Sequence, residues 1–543
     1  MIKYTPASER NLSLFRTPFE QELDANNRWV KMAAVVPWDD MAKVFFSSMS
    51  ADQGRESIDL RIVLGALLVK HVEGISDEDT IQYIQENIYT QYFVGLPSFQ
   101  TKPVFVPTLF VEIRKRLGKK GAQELNDMVL KQARRLRAIK HRAKPRKKSP
   151  KQEDNDEPGQ GQENEVSAVA TPQKSEPTVV AGQPEQEARN KGTLKMDATV
   201  APQHIGYPTD TRLLNEAREY SEELIDKLYQ GSSLWKKKPR TYRRNAHDEY
   251  LAFAKKRKPG KRDIKRTRGK QLRYLRRNLK HINCMLDKLE QAGHAAHWKF
   301  PDWQRFWVIQ ELYRQQDIMH RDGRKRIDHR IVNIAQPYVR PIIRGKAGSH
   351  TEFGAKLNVS ETEGFVRMDQ VDFDNFNEGI LLQEQVEGYK ALYGYYPELV
   401  LVDQIYLNRE NHKYLKDKGI RHAGKPLGRP PEMSHQEKQK RKKEQNKRSE
   451  IEGKFGQGKS KYGLDDIQTR REDTSYACIG LILLALNVIK LGGAVLVLIF
   501  NLVRRLWNQV ASSEVHINSI FGVDGSVSQA NLCPAFAVRR KWR

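Results

Sequence analysis

The sequence predicts a mixed α/β domain that carries a large helical insertion and follows an all-α N-terminal domain. Three observations predict it. Apolar residues recur at helical spacing through the first part of the chain. Short runs with the alternation or unbroken apolarity of strands lie at 194–200, 353–360, 365–371 and 398–403. Between the first of these runs and the next, Leu213 to Tyr338 reads as helical, strongly basic and rich in aromatics.

At 543 residues the chain is long enough for several domains. It carries 94 Lys+Arg against 67 Asp+Glu, a net charge of +27. A polyanion is the partner such an excess favours, because each cation that neutralises a backbone phosphate releases condensed counterions. Cys284, Cys478 and Cys533 stand far apart, which excludes a disulfide framework and supplies no CxxC zinc pair. A reducing, cytoplasmic location among the nucleoid DNA is expected, and the start MIKYTPASERNLSLF has no apolar signal core.

Residues 1–140 are expected to form a helical DNA-binding domain. Ile62, Val63, Leu67 and Leu68 mark one helix, which Gly74 ends. Ser76 with Asp79 is a capping signature ahead of Ile81, Ile84 and Ile88. A helix, a short turn and a helix follow, a unit able to read a major groove or simply to pack. Residues 141–192 begin basic (Arg142, Lys144, Arg146, Lys147, Lys148) and turn to Gln, Glu, Pro, Gly and Ser. Their apolar surface is too small to offset the entropy of ordering, so a disordered linker is expected.

The catalytic domain is expected over 193–510, with the helical insertion at 213–338. LKMDATV reads as a strand containing Asp197, FGAKLNVS and FVRMDQV as a hairpin turning at 361–364, Ile380 to Leu392 as an amphipathic helix, and ELVLVD as a buried strand ending at Asp403. The segment 476–503 is apolar enough to raise a membrane-spanning reading. Asn487, Lys490, Gly492 and Gly493 interrupt it, and a helix packed on the sheet is the expected form, with no membrane partner. A tail, 511–543, ends in the basic VRRKWR.

Chemistry is carried by Asp197, Asp403 and the run RSEIEGKFGQGKS, in which Arg448, Glu452 and Lys459 stand at offsets of four and seven and share one side of a helix. Two strand-borne aspartates and a helical glutamate can hold a pair of magnesium ions, or manganese in their place. The flanking Arg448 and Lys459 can steady phosphate. Converging carboxylates repel one another unless cations lie between them. Gly453 to Ser460 matches the phosphate-loop pattern GxxxxGK[ST]. That pattern needs an apolar strand before it and an amphipathic helix after, whereas KEQNKRSEIE precedes it and KYGLDD follows. The glycines weaken the helix and are expected to end it soon after Glu452. Gly428, Arg429 and Pro430 resemble a minor-groove hook, with Arg429 as its DNA contact, or form a surface loop.

DATVAPQHIGYPTDTRLLNEAR, LVDQIYLNRENHKYLKDKGIRHAGKPLGRP and RSEIEGKFGQGKSKYGL, in that order, resemble bacterial insertion-sequence transposases of the DDE class with a Y-(2)-R-(3)-E-(6)-K signature. The helical LRIVLGALLVKHVEGISDEDTIQYI is similar to their N-terminal domain. Arg448, Glu452 and Lys459 match the spacing, while Gln445 stands where the signature has tyrosine. The resemblance implies a ribonuclease-H-like catalytic domain with Asp197, Asp403 and Glu452 as its triad. It also implies metal-dependent cleavage at the inverted-repeat ends, strand transfer into target DNA, and a homodimer on paired double-stranded ends, with the insertion clamping DNA. A catalytically inactive, sequence-specific DNA-binding relative and a P-loop nucleotide hydrolase are the competing readings.

Overall fold

The computed structural model describes residues 3–6, 8–9, 22–46, 49, 57–142, 189–343, 351–424 and 434–493. Arg429, most of the expected linker and the expected tail lie outside them.

The N-terminal region comprises α1 (Arg28–Val35), α2 (Trp38–Ala42), α3 (Leu60–Glu73), α4 (Asp77–Glu86), α5 (Ile88–Val94) and α6 (Leu109–Arg142), the last broken at Gly118. Local signals set these boundaries. Asp59 caps α3, and Gly74 ends it in the left-handed conformation that costs glycine least. The Ser76 hydroxyl accepts from the Asp79 N–H to begin α4. Ile88 does not extend α4: Asn87 is extended and its side chain accepts from the Tyr89 and Thr90 N–H groups, which starts a new helix. The helix α3 is buried nearly all round, and α4 opens with Asp77, Glu78 and Asp79. Of the expected helix pair, one member is therefore core, and the other opens with exposed Glu78 and Asp79, which repel phosphate at that end.

The sheet holds β1 (Thr193–Pro202), β2 (Arg340–Ile343), β3 (Thr351–Thr362), β4 (Phe365–Asp372), β5 (Leu399–Leu401) and β6 (Arg421–His422). Its order is β2-β3-β1-β5-β6, with β4 also paired to β3. β3 runs antiparallel to β1, β2 and β4, whereas β5 lies parallel to β1 and to β6. The hairpin turn is tighter than its sequence suggests. β3 continues to Thr362, and only Glu363 (φ 54°) and Gly364 (φ 87°) separate it from β4, both left-handed as a two-residue hairpin turn of matching twist requires.

Between β1 and β2 lie α7 (Asp210–Gln230), α8 (Arg243–Ala254), α9 (Lys261–Gln291) and α10 (Phe300–Arg321). They bury a core of their own around Leu214, Ile225, Leu275, Ile282, Phe306 and Ile309. After the hairpin come α11 (Leu382–Tyr393), α12 (Arg409–Asp417), α13 (His435–Asn446), α14 (Ser449–Tyr462) and α15 (Glu472–Gly493).

Of the described helices, α15 alone is long and apolar enough to cross a membrane, and 78% of its most apolar window is buried inside the protein. Its apolarity has a structural cause. Ala477, Leu481, Leu484 and Val488 pack into the N-terminal helical core, while Ile479, Ile482, Leu483 and Leu486 pack into the core of the sheet. A helix gripped on both sides reads as hydrophobic all round. Asn487 is the polar exception: its amide donates to the Asn126 side chain (2.5 Å) and the Val366 carbonyl (2.7 Å), and its oxygen accepts from the Val366 N–H (2.9 Å). It thereby satisfies both backbone groups of Val366 on the side of β4 that has no neighbouring strand.

Candidate active site

Strand alternation sets the face of the sheet on which Asp197 lies. In β1, Leu194 and Met196 face α11 together with Val400 and Val402. Lys195 and Asp197 therefore face the other way. There Lys195 is buried between Glu361 of β3 and Glu450 of α14, the latter at 2.7 Å. This ion triad pins the start of α14 against β1. The β1–β5 register pairs Leu194 with Val400 and Lys195 with Leu401. β5 ends at Leu401, so Asp403 stands two residues past the strand that pairs with β1. Asp403 is exposed, and its carboxylate accepts from the Gln404 N–H (2.7 Å), capping the 3-10 turn Gln404–Tyr406.

Arg448 stands at the N-cap of α14 and Glu452 in the first turn. The Arg448 guanidinium donates to Asp197 Oδ2 and to Glu452 Oε1, each at 2.9 Å. One cation thus joins the strand aspartate to the helix glutamate. Lys459 lies seven residues on, about 10 Å along the axis. α14 does not end soon after Glu452: it continues through Gly453, Gly456 and Gly458 to Tyr462. Ile451, Phe455 and Gly458 are its buried positions, so tertiary packing outweighs the propensity of the glycines. Because residues 453–460 are helical and follow α13 rather than a strand, their N–H groups serve the helix and form no phosphate-cradling loop.

Burial raises the Asp197 carboxyl above its usual range, with Glu378 and Glu452 acting in the same direction and the Ala198 N–H and Arg448 against it. Glu378 was not singled out from the sequence. It begins the 3-10 turn Glu378–Ile380, and Lys356 of β3 holds its carboxylate at 2.9 Å. That turn sits on the Asp403 turn. A side chain at Gly379 would meet the Ile405 carbonyl at 2.6 Å, and the Asn411 amide donates to the Gly379 carbonyl (2.6 Å) and the Tyr406 carbonyl (2.8 Å). Burial pushes the Tyr406 hydroxyl far up, with Glu378 and then Asp197 adding to it. The sequence signal for Glu378 was an acidic loop, DFDNFNE, directly after a predicted strand. For Lys195 it was a second charge two residues from Asp197 in a strand.

Among the described residues, no three His, Cys, Asp or Glu side chains converge closely enough to hold one metal ion. Asp197, Asp403 and Glu452 offer carboxylate oxygens, the donor type a hard divalent ion takes, and Arg448 lies between two of them. For Asp197 and Glu452 to share an ion, the guanidinium must release at least one of them.

Residues 17–116 match the family model described as Transposase domain (DUF772), and residues 400–492 match the one described as Transposase DDE domain. The first match spans α1 to α5, and the second contains Asp403, Arg448, Glu452 and Lys459. A curated relative, the uncharacterized protein ORF8 in the nfe locus of Rhizobium meliloti, is 31% identical over 120 residues. That alignment covers 22% of this chain and 57% of the relative, so the chain spans little more than half of the relative's length. No solved structure matches. The two domain matches, in this order along the chain, support an insertion-sequence DDE transposase.

Proposed function

We propose that the chain binds the inverted-repeat ends of an insertion sequence, cleaves them with magnesium, and transfers the freed strand into target DNA. The observation that carries this reading is the Arg448 bridge between the strand aspartate Asp197 and the helix glutamate Glu452. Asp197 lies on β1, Asp403 stands two residues past the end of the neighbouring strand β5, and Arg448 ties Glu452 of α14 to Asp197. The sheet order supports a ribonuclease-H-like domain, with three antiparallel strands followed by parallel β5 and β6. Asp197, Asp403 and Glu452 would hold the ions, which when bound activate the attacking hydroxyl and stabilise the leaving oxygen of an in-line displacement. Arg448 neutralises carboxylates before DNA arrives and is placed to transfer its second hydrogen bond to a phosphate oxygen. Lys459, in the last turn of α14, extends that cationic line along the duplex. Two copies on paired ends complete the proposed assembly.

The test is a nicking assay on a terminal inverted-repeat duplex with magnesium. Asp403→Ala is expected to abolish nicking and to leave duplex binding within about twofold of native, because Asp403 is exposed and its loss opens no core. Undiminished nicking refutes the assignment. A native chain that binds ends tightly but cuts none selects the non-catalytic DNA-binding reading instead.

A further inference from the structure

Tyr406 closes the turn that carries Asp403. β5 ends at Leu401, and no strand pairing among the described residues reaches Asp403, so its place depends on the 3-10 turn Gln404–Tyr406. The two residues are joined through the backbone, the Tyr406 N–H donating to the Asp403 carbonyl at 3.1 Å. Gln404 and Ile405 are exposed, whereas Tyr406 is fully buried among Leu194, Met196, Leu382 and Val386. Its side chain is what anchors the turn in the body of the protein.

A buried hydrogen-bond chain holds the far end of that side chain. The Tyr406 hydroxyl oxygen accepts from Asn358 Nδ2 of β3 at 2.8 Å. Asn358 Oδ1 accepts from Gln385 Nε2 of α11 (2.7 Å), and the same nitrogen donates to Asp369 Oδ2 of β4 (2.8 Å). Asp369 also takes Arg367 (2.7 Å), which holds Asp127 of α6 at 2.9 and 3.2 Å. The chain has a fixed sense. A carboxylate can only accept, so Gln385 turns its nitrogen to Asp369, and Asn358 then turns its oxygen to Gln385 and its nitrogen to Tyr406. Gln385 Oε1 is left buried with no partner among the described residues, a loss that an apolar core would avoid, so stability alone does not account for the chain. Its course does. β1 lies between β3 and β5, and the Tyr406–Asn358 bond therefore spans it. Asn358 pairs across the sheet with Ala198, the neighbour of Asp197, so the bond ties the Asp403 turn to the strand position adjoining Asp197.

We propose that Tyr406 is a positioning residue: through its bond to Asn358 it sets where Asp403 stands relative to Asp197, and so governs how tightly the two carboxylates take a divalent ion. That these carboxylates are ion ligands rests on the transposase reading. Tyr406 is fully buried and touches no substrate, so its contribution is rigidity. Without the hydroxyl the exposed turn keeps its local backbone bonds but loses its tether across β1. Asp403 then ranges over more positions, and ion binding must first collect them.

Uptake of manganese by the full chain would be followed through the loss of the free-ion electron paramagnetic resonance signal, for the native protein, Asp403→Ala, Tyr406→Phe, Asn358→Ala and the Tyr406→Phe/Asn358→Ala double variant. Asp403→Ala defines the uptake that belongs to the site. Tyr406→Phe keeps the ring and is expected to weaken that uptake about 10-fold, as is usual for residues that support ion ligands. Asn358→Ala should weaken it to a similar degree and the double variant no further, because both changes remove one bond. In the nicking assay the magnesium concentration for half-maximal rate should rise by a similar factor, while the rate at saturating magnesium falls by less than about threefold. Leu484→Ala, which loosens the chain away from the site, is expected to leave uptake at the native value. The proposal falls if Leu484→Ala weakens uptake as much as Tyr406→Phe does, if the two single effects add, or if Tyr406→Phe takes up the ion as the native chain does. Asn358→Ala, read alone, decides the question should Tyr406→Phe not fold. The active-site reading fails separately: equal uptake and equal nicking by the native chain and Asp403→Ala refute the ligand role of Asp403, whereas Asp403-dependent uptake that is unchanged in Tyr406→Phe refutes this inference alone.

Discussion

Single residues show how buried charge is managed in this chain. Arg114 of α6 is 3% exposed and forms a bidentate pair with Asp77 (2.5 and 2.8 Å), which Lys70 joins at 3.1 Å. Burial works to raise the Asp77 carboxyl, but the hydrogen bonds and charges of Arg114 and Lys70 outweigh it and hold the group below its usual range. A lowered folded-state carboxyl contributes stability above the unfolded pKa of about 3.9, and that contribution is lost as pH falls through the lowered value. Asp77→Asn, which leaves the buried Arg114 without its counter-charge, is expected to lose about 3 kcal/mol near neutral pH. The deficit should close below about pH 4, which urea unfolding across that range would reveal. A deficit independent of pH would assign the loss to packing. At the same scale, Asp197, Asp403, Arg448 and Glu452 were legible because spacing and strand placement expose such residues. Glu378 was not, since its place beside Asp197 depends on the approach of two turns at Gly379, between segments distant in sequence.

At the scale of elements, local signals and packing divide the outcome. The cap at Ser76 and the left-handed Gly74 start and stop helices where the sequence says they should, whereas Asn87 starts a new helix where the periodicity ran on to Ile88. α14 goes the other way: three glycines argued for an early end, yet Ile451 and Phe455 reach the sheet core and the helix runs on. Tertiary burial of even two large side chains exceeds the roughly 1 kcal/mol that each glycine withholds. In α15 the single buried amide is the informative residue. Asn487→Leu keeps the branched shape but leaves both backbone groups of Val366 and the Asn126 side-chain oxygen without this partner, at an expected loss of about 3 kcal/mol. Denaturant unfolding measures it, and a neutral result would mean that water satisfies the edge of β4.

The whole molecule has two stability units. The N-terminal helices and the sheet share α15, whose opposite faces enter both cores. The insertion core draws its members from residues 213–334. Calorimetry of the full chain is expected to show two transitions. Leu484→Ala, at a fully packed α15 position, should lower the one that belongs to the helices and sheet by about 2–5 kcal/mol and leave the other in place. One transition that shifts as a whole would show that the insertion is coupled to the sheet.

Most of the elements, the helical insertion between the first strand and the hairpin, the charge excess that favours a polyanion, and the candidate residues Asp197, Asp403, Arg448, Glu452 and Lys459 can be read from the chain without its fold. These follow from periodicity, capping and residue chemistry, all of which act over a few neighbouring positions. Folding in three dimensions settles which face of β1 meets α14, that Arg448 bridges Asp197 and Glu452, that Glu378 bears on Asp197, and that the membrane-like segment is the shared core of two layers. Those outcomes depend on strand register and on packing between residues hundreds apart in the chain, where burial and charge balance, not local preference, set the arrangement.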